Sequence, residues 1–79
     1  MSRSFDQIRK RLARNIRSLR DERQLSQEEL ALSADVDCMY LSQIEHAIGN
    51  PSLLVLCKLA AVLGVDIDQL LGTEQGRNL

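Results

Sequence analysis

Proline occurs once in the 79 residues, as Pro51, and glycine four times. So few chain-breaking residues, no strand-like alternation and many Leu and Ala favour an all-α fold. Cysteine is scarce as well: Cys38 and Cys57 lie far apart and fit no metal spacing. Neither a signal peptide nor an apolar run long enough to span a bilayer is present. The expectation is a cytoplasmic chain with reduced thiols and no bound metal or cofactor. With a single His, no catalytic cluster of carboxylates with His or Cys, and no glycine-rich phosphate loop, enzymatic chemistry is not expected. A chain this short forms one domain with a modest core. The core is expected over about residues 5–71, with a polar, frayed tail at 73–79.

The net charge of −1 argues mildly against a nucleic-acid partner, but its distribution matters more. Residues 1–23 carry eight Lys and Arg against three acids, whereas residues 24–79 carry two against eight. Only the first third offers an obvious footprint for phosphates.

The stretch Ser26–His46 organises the rest. Ser26 with Glu29 three residues later forms a capping box, so a helix is expected from Gln27. Leu30, Ala31 and Ala34 share one face of it. Asp35-Val36-Asp37 then interrupts the pattern: Asp35 tolerates a left-handed turn, and Asp37 can cap a second helix through the N–H of Met39 or Tyr40. Leu41 and Ile44 supply that helix's inner face. Two capped helices around a tight turn resemble a helix-turn-helix.

Four further segments sharpen the likeness. The run Arg20-Asp-Glu-Arg-Gln-Leu-Ser-Gln-Glu-Glu-Leu30 is similar to the opening of the phage-repressor (XRE-like) superfamily of DNA-binding domains. So are Tyr40-Leu-Ser-Gln-Ile-Glu45, Asn50-Pro-Ser-Leu53, and Leu59-Ala60 leading to Leu63-Gly-Val65. Together they span roughly residues 5–71. The resemblance implies a compact five-helix bundle that binds operator DNA as a homodimer and regulates transcription. Free-standing members of this length include controller proteins of restriction–modification systems.

What the resemblance implies for individual residues follows from the second helix lying in the major groove. Cys38, Met39, Ser42 and Gln43 are its outward, base-facing positions. Gln43 can donate to and accept from adenine, while Met39 and Cys38 suit a thymine methyl. No basic residue stands among them, which points to an A·T-leaning or shape-read site. Phosphate contacts are expected from Arg17, Ser26, Gln27, Tyr40, His46 and Asn50, aided by backbone amides at the start of the first motif helix. Tyr40 has the core edge as its alternative, and His46 the role of a helix C-terminal residue. Arg20 is expected to pair with Glu45 and tie the first helix to the third. Glu28 and Glu29 match the place where activating members touch RNA polymerase; stabilising their own helix dipole is the simpler role.

The flanks read as helices. Phe5, Ile8, Leu12, Ile16 and Leu19 form one apolar face, started by Ser4 or Asp6, with Arg17 in reach of Asp21. Ala47 stands where the family commonly ends its helix with Gly, so Gly49 is expected to take the left-handed role. Ser52 caps a fourth helix with Leu53, Leu56, Leu59, Ala60 and Leu63 inward, stopped by Gly64. Asp66 and Gln69 resemble another capping box. The surplus apolar residues Val65, Ile67, Leu70 and Leu71 either form a dimer interface or simply fill the core. An antitoxin-like module that neutralises a partner protein is the alternative to a regulator.

Overall fold

The computed structural model describes residues 4–72. Five helices and no strand occur among them: α1 (Phe5–Glu22), α2 (Gln27–Ala34), α3 (Cys38–Glu45), α4 (Leu53–Leu63) and α5 (Ile67–Leu71). The expected tail at 73–79 lies outside the described residues. None of the described helices is long and apolar enough to cross a membrane.

Helices α1 to α4 each begin where a cap side chain accepts one of the free N–H groups. At α1 it is Ser4 rather than Asp6: its hydroxyl accepts the Gln7 N–H at 3.1 Å, and Gln7 Oε1 accepts the Ser4 N–H at 3.0 Å. Asp6 instead pairs with Arg9 (2.7 Å) and Lys10 (3.2 Å), which hold its carboxyl below the usual carboxylate range. Ser26 and Glu29 form the expected capping box on α2. Asp37 accepts the Met39 N–H at 3.2 Å, Ser52 accepts the Val55 N–H at 3.1 Å, and Gln69 reaches back to the Asp66 N–H at 3.0 Å.

The helix ends share one geometry that the sequence only half discloses. Gln24, Asp35, Ala47 and Gly64 follow α1 to α4, each at a φ of +56° to +72°. In every case the next residue's N–H reaches back five positions: Leu25 to Arg20, Val36 to Ala31, Ile48 to Gln43 and Val65 to Ala60, at 2.9–3.1 Å. This is the Schellman arrangement, and only one of its four left-handed residues is glycine. Asp35 and Gly64 were expected there, Gln24 was not. Ala47 corrects the reading of the loop: it turns left-handed itself, and Gly49 does so as well, at +84°.

The core is Leu12, Ile16, Leu30, Ala31, Ala34, Leu41, Ile44, Leu56, Leu59, Ala60, Leu63 and Leu70. Of the expected members, Ile8 and Leu19 are only half-buried, and two stand exposed. Phe5 is 54% exposed, in the first turn of α1 beyond the packed part of the stripe, and Arg9 lies over its ring at 4.8 Å. Leu53 is 67% exposed, since in the first turn of α4 it is Val55 and Leu56 that face the core. Leu70 has no exposure at all, and so cannot reach a partner subunit as one of the four expected interface residues. It fills the space between α1, α4 and α5 instead.

Candidate nucleic-acid interface

Helices α2 and α3 and the turn between them carry the site. Leu30, Ala31 and Ala34 are buried on α2; Leu41, Ile44 and Glu45 are buried on α3. Small Ala side chains let the two helices approach closely. Val36 packs against the core from within the turn, and Lys58 of α4 donates to the Asp35 carbonyl at 3.4 Å. With its inner face committed, α3 turns Met39, Gln43 and His46 outward, all exposed, with Ser42 half-buried beside them. Spacings of three and four make these one continuous surface. Cys38 is half-buried and packs against the core, so it is the least available of the expected base-facing residues.

One carboxylate locks α3 in place. Glu45, 2% exposed, accepts from Arg20 through both oxygens, Nε to Oε2 at 2.9 Å and Nη2 to Oε1 at 3.0 Å. This is the expected pair in bidentate form. Arg20 Nη1 also donates to the Leu25 carbonyl at 3.0 Å, completing its set of partners. Hydrogen bonding to Glu45 raises the Arg20 pKa, outweighing burial, which acts the other way. The guanidinium is therefore a fixed charge.

Two residues expected on phosphates are drawn into the same cluster. Gln27 Nε2 donates to Glu45 Oε1 at 3.1 Å. Arg17 Nη1 donates to the Glu45 carbonyl oxygen, at the end of α3, in place of the expected pairing with Asp21. Arg17 remains exposed next to His46, so both stand at the C-terminal end of α3. His46 has Nδ1 at 2.7 Å from the Ser42 carbonyl. A carbonyl only accepts, so that nitrogen carries the hydrogen and Nε2 faces outward.

The remaining candidates divide. Ser26 is exposed, but its hydroxyl already accepts in the cap; its own hydrogen is free. Tyr40 is half-buried with its hydroxyl accepting the Ser52 N–H at 3.1 Å, which favours the core-edge role and ties α3 to the start of α4. Asn50 is exposed in the loop between them. Glu29 is closed into the α2 capping box, whereas Glu28 is exposed.

Two residues of structural weight were missed. Asn15, buried in α1, donates through Nδ2 to the carbonyls of Leu70 (2.7 Å) and Gly72 (2.8 Å) at the end of α5. The signal was available, since Asn15 falls at i+3 from Leu12 and so inside the apolar stripe. Arg9, besides its pair with Asp6, donates to the Gly49 carbonyl at 3.3 Å and ties the start of α1 to the loop after α3. Nothing in the spacing signals that contact.

A two-helix unit with one buried face, one exposed face and both ends anchored defines a helix-turn-helix domain. The family model described as helix-turn-helix (HTH_3) matches residues 16–70. The chain belongs to this family, whose members are DNA-binding transcriptional regulators rather than enzymes. It is 36% identical over 63 residues to the immunity repressor protein of Bacillus phage phi105, covering 80% of this chain and 44% of that protein. The chain thus spans less than half the length of that relative. Among solved structures it is similar to a hypothetical transcription factor from Neisseria, with TM-score 0.85 and 38% identity over 98% of this chain and 88% of that one. It is also similar to the restriction-modification controller protein of Aeromonas hydrophila, with TM-score 0.75 and 32% identity over 78% and 94% of the two chains.

Proposed function

We propose that the protein is a homodimeric transcriptional regulator that binds a two-fold symmetric operator and lays α3 in the major groove. The observation that carries this reading is the outward surface of exposed Met39 and Gln43 with half-buried Ser42, on a helix fixed by Glu45 and ended by exposed His46. Gln43 is the base reader, with bidentate bonds to an adenine edge, and Met39 offers an apolar contact to a thymine methyl. Phosphates are met by the free N–H groups at the start of α2, by the Ser26 hydroxyl, and by Arg17 and His46 at the end of α3. With Arg20 committed to Glu45 and no Lys or Arg on α3, the recognition helix itself has no cation to offer. Two subunits on one DNA combine their affinities, with recognition helices about 34 Å apart.

The proposed dimer surface keeps Val65, Ile67 and Leu71, which are half-buried in the single chain, and releases Leu70. To these we add α4, where Leu54 (65% exposed), Cys57 and Ala61 form a stripe leading to Val65. A second copy is the occupant this surface suits, because an apolar stripe repeated about a two-fold axis covers itself. A role as controller of restriction–modification genes is supported by the likeness to the Aeromonas controller, of which 94% is covered. Activation through RNA polymerase would then fall to Glu28, since Glu29 is occupied.

Footprinting on the DNA upstream of the protein's own gene tests the reading. Paired protected half-sites one helical turn apart are the expected result. Protection of a single unrepeated site would overturn the dimeric part, and protection without sequence preference would overturn the regulator.

A further inference from the structure

His46 ends α3 as its C-cap residue and is the one histidine in the sequence. Its Nδ1 lies 2.7 Å from the Ser42 carbonyl oxygen, one helical turn back. That oxygen can only accept, so Nδ1 keeps its hydrogen whether the ring is neutral or charged. In the neutral ring the outward Nε2 is then left with a lone pair and no hydrogen. Such an atom accepts hydrogen bonds; it cannot donate one to a phosphate oxygen. Only the imidazolium, with a hydrogen on each nitrogen, offers a phosphate both a donor and a charge.

Among the described residues no carboxylate pairs with the ring. Glu45, its neighbour in sequence, is buried and engaged by Arg20 and Gln27. From α1, Arg17 donates to the Glu45 carbonyl, and a cation there opposes protonation of the ring. Residues 47–51 of the following loop carry no charge, and Arg9, which reaches that loop at the Gly49 carbonyl, is again a cation. Only the dipole of α3 favours the charged form. The anion that an imidazolium needs here is therefore one that DNA brings.

We infer that His46 meets a backbone phosphate only when protonated, so that operator binding takes up a proton and weakens as the pH rises. The phosphate favours the charged ring, so the proton is held more tightly on DNA than off it. Affinity is constant while the free ring is already charged, and it falls once the free ring gives up its proton. Imidazole makes that exchange between about pH 5 and pH 8. The contact is to the backbone, so right and wrong sequences lose alike. A protonated His46 also counts as one more cation per subunit, which steepens the salt dependence at low pH.

The inference rests on the operator-binding reading above, and the test keeps the two apart. The probe is the duplex that the full chain selects from a random-sequence pool, beside the same duplex scrambled at its protected base pairs. Between about pH 6 and pH 8 the parent's affinity for both should fall roughly 3- to 10-fold per subunit, the worth of a charge-assisted surface contact. Its salt slope should be shallower at the higher pH. His46→Gln offers a neutral donor and His46→Lys a permanent cation, so both should bind independently of pH over this range. Binding heats in buffers of unlike ionisation enthalpy should show protons taken up by the parent and by neither variant.

A flat parent affinity would overturn the inference. So would an affinity that rises with pH, the result expected if a neutral Nε2 accepts from a base amino group. A pH dependence that survives in His46→Gln, or nitrogen resonances placing the neutral ring's hydrogen on Nε2 in the free chain, would do the same. Should a variant fail to melt cooperatively, the parent's affinity, proton uptake and resonances decide alone. A parent chain with no preference between the two duplexes at either pH would overturn the operator reading, and this inference with it.

Discussion

Ala47 holds a backbone conformation that its own Cβ opposes. At φ +58° a non-glycine residue carries about 1–2 kcal/mol of steric cost. The Ile48 N–H bond to Gln43 at 2.9 Å, together with the packing of α3, imposes it. Glycine relieves the clash but loses more freedom on folding, by about 0.4–1 kcal/mol. Ala47→Gly is therefore expected to stabilise the protein by about 0.5–1 kcal/mol in urea unfolding, and Gln24→Gly, at +56°, by a similar amount. Gly64→Ala runs the other way. Its φ is +72°, and an added Cβ would stand 2.4 Å from the Arg23 guanidinium, so that a midpoint lower than the parent's is expected. The Arg20–Glu45 pair belongs to this scale too. Removing either partner leaves a buried charge without its counterpart, at about 3 kcal/mol or more, whereas removing both leaves none. The double alanine variant should thus melt well above the sum of the single losses. Strict additivity in the melts of the three variants would contradict the pairing.

Helices were legible wherever their ends were marked by side chains that act locally. Ser26 with Glu29, Asp37, Ser52 and Asp66 with Gln69 all sit within three residues of the groups they serve, so spacing alone exposes them. The inner faces of α2 and α3 were legible for the same reason: three- and four-residue spacing is a local rule. Contacts that cross the fold were not legible from spacing, and the Arg20–Glu45 pair was expected only through the family resemblance. Gln27 reaches Glu45 and Asn15 reaches Leu70 over separations of 18 and 55 residues, and no periodicity encodes such a meeting. Leu70 was misread because an apolar excess says only that surface must be covered. Whether the same chain or a second copy covers it depends on how α5 docks. Asn15 decides that docking by giving the carbonyls at the end of α5 a donor inside the protein. Asn15→Ala should cost about 1–3 kcal/mol, the penalty for buried acceptors left unpaired. The loss should concentrate on α5, where amide exchange is expected to speed up while the amides of α2 and α3 stay protected.

For the molecule as a whole, the two sides of the Leu70 correction separate folding from assembly. Leu70→Asp buries a charge with no partner and is expected to abolish the cooperative melt. Leu54→Lys with Cys57→Lys alters two exposed residues of α4 that do not pack against the core, so the chain should stay folded and sediment as a monomer at micromolar concentration. A parent chain that is itself monomeric, or a doubly substituted chain that still dimerises, would remove the proposed interface. Assembly in turn sets what a change in Gln43 does. In the proposed dimer each subunit would present one Gln43 on the exposed side of α3, so a two-fold site would lose two bidentate contacts on Gln43→Ala. The cost should be about 1–3 kcal/mol per half-site and should fall on one base pair in each. No phosphate contact changes, so the salt slope of binding should match the parent's. Arg17 supplies the contrast: the residue is exposed while one N–H holds the Glu45 carbonyl at the end of α3. Arg17→Ala should weaken binding to every duplex alike and flatten the salt slope by about one per subunit. Titrations of both variants against matched and singly substituted operators, at several salt concentrations, distinguish the roles. Parent-like discrimination by Gln43→Ala at every base pair would mean that α3 does not read the major groove through this face.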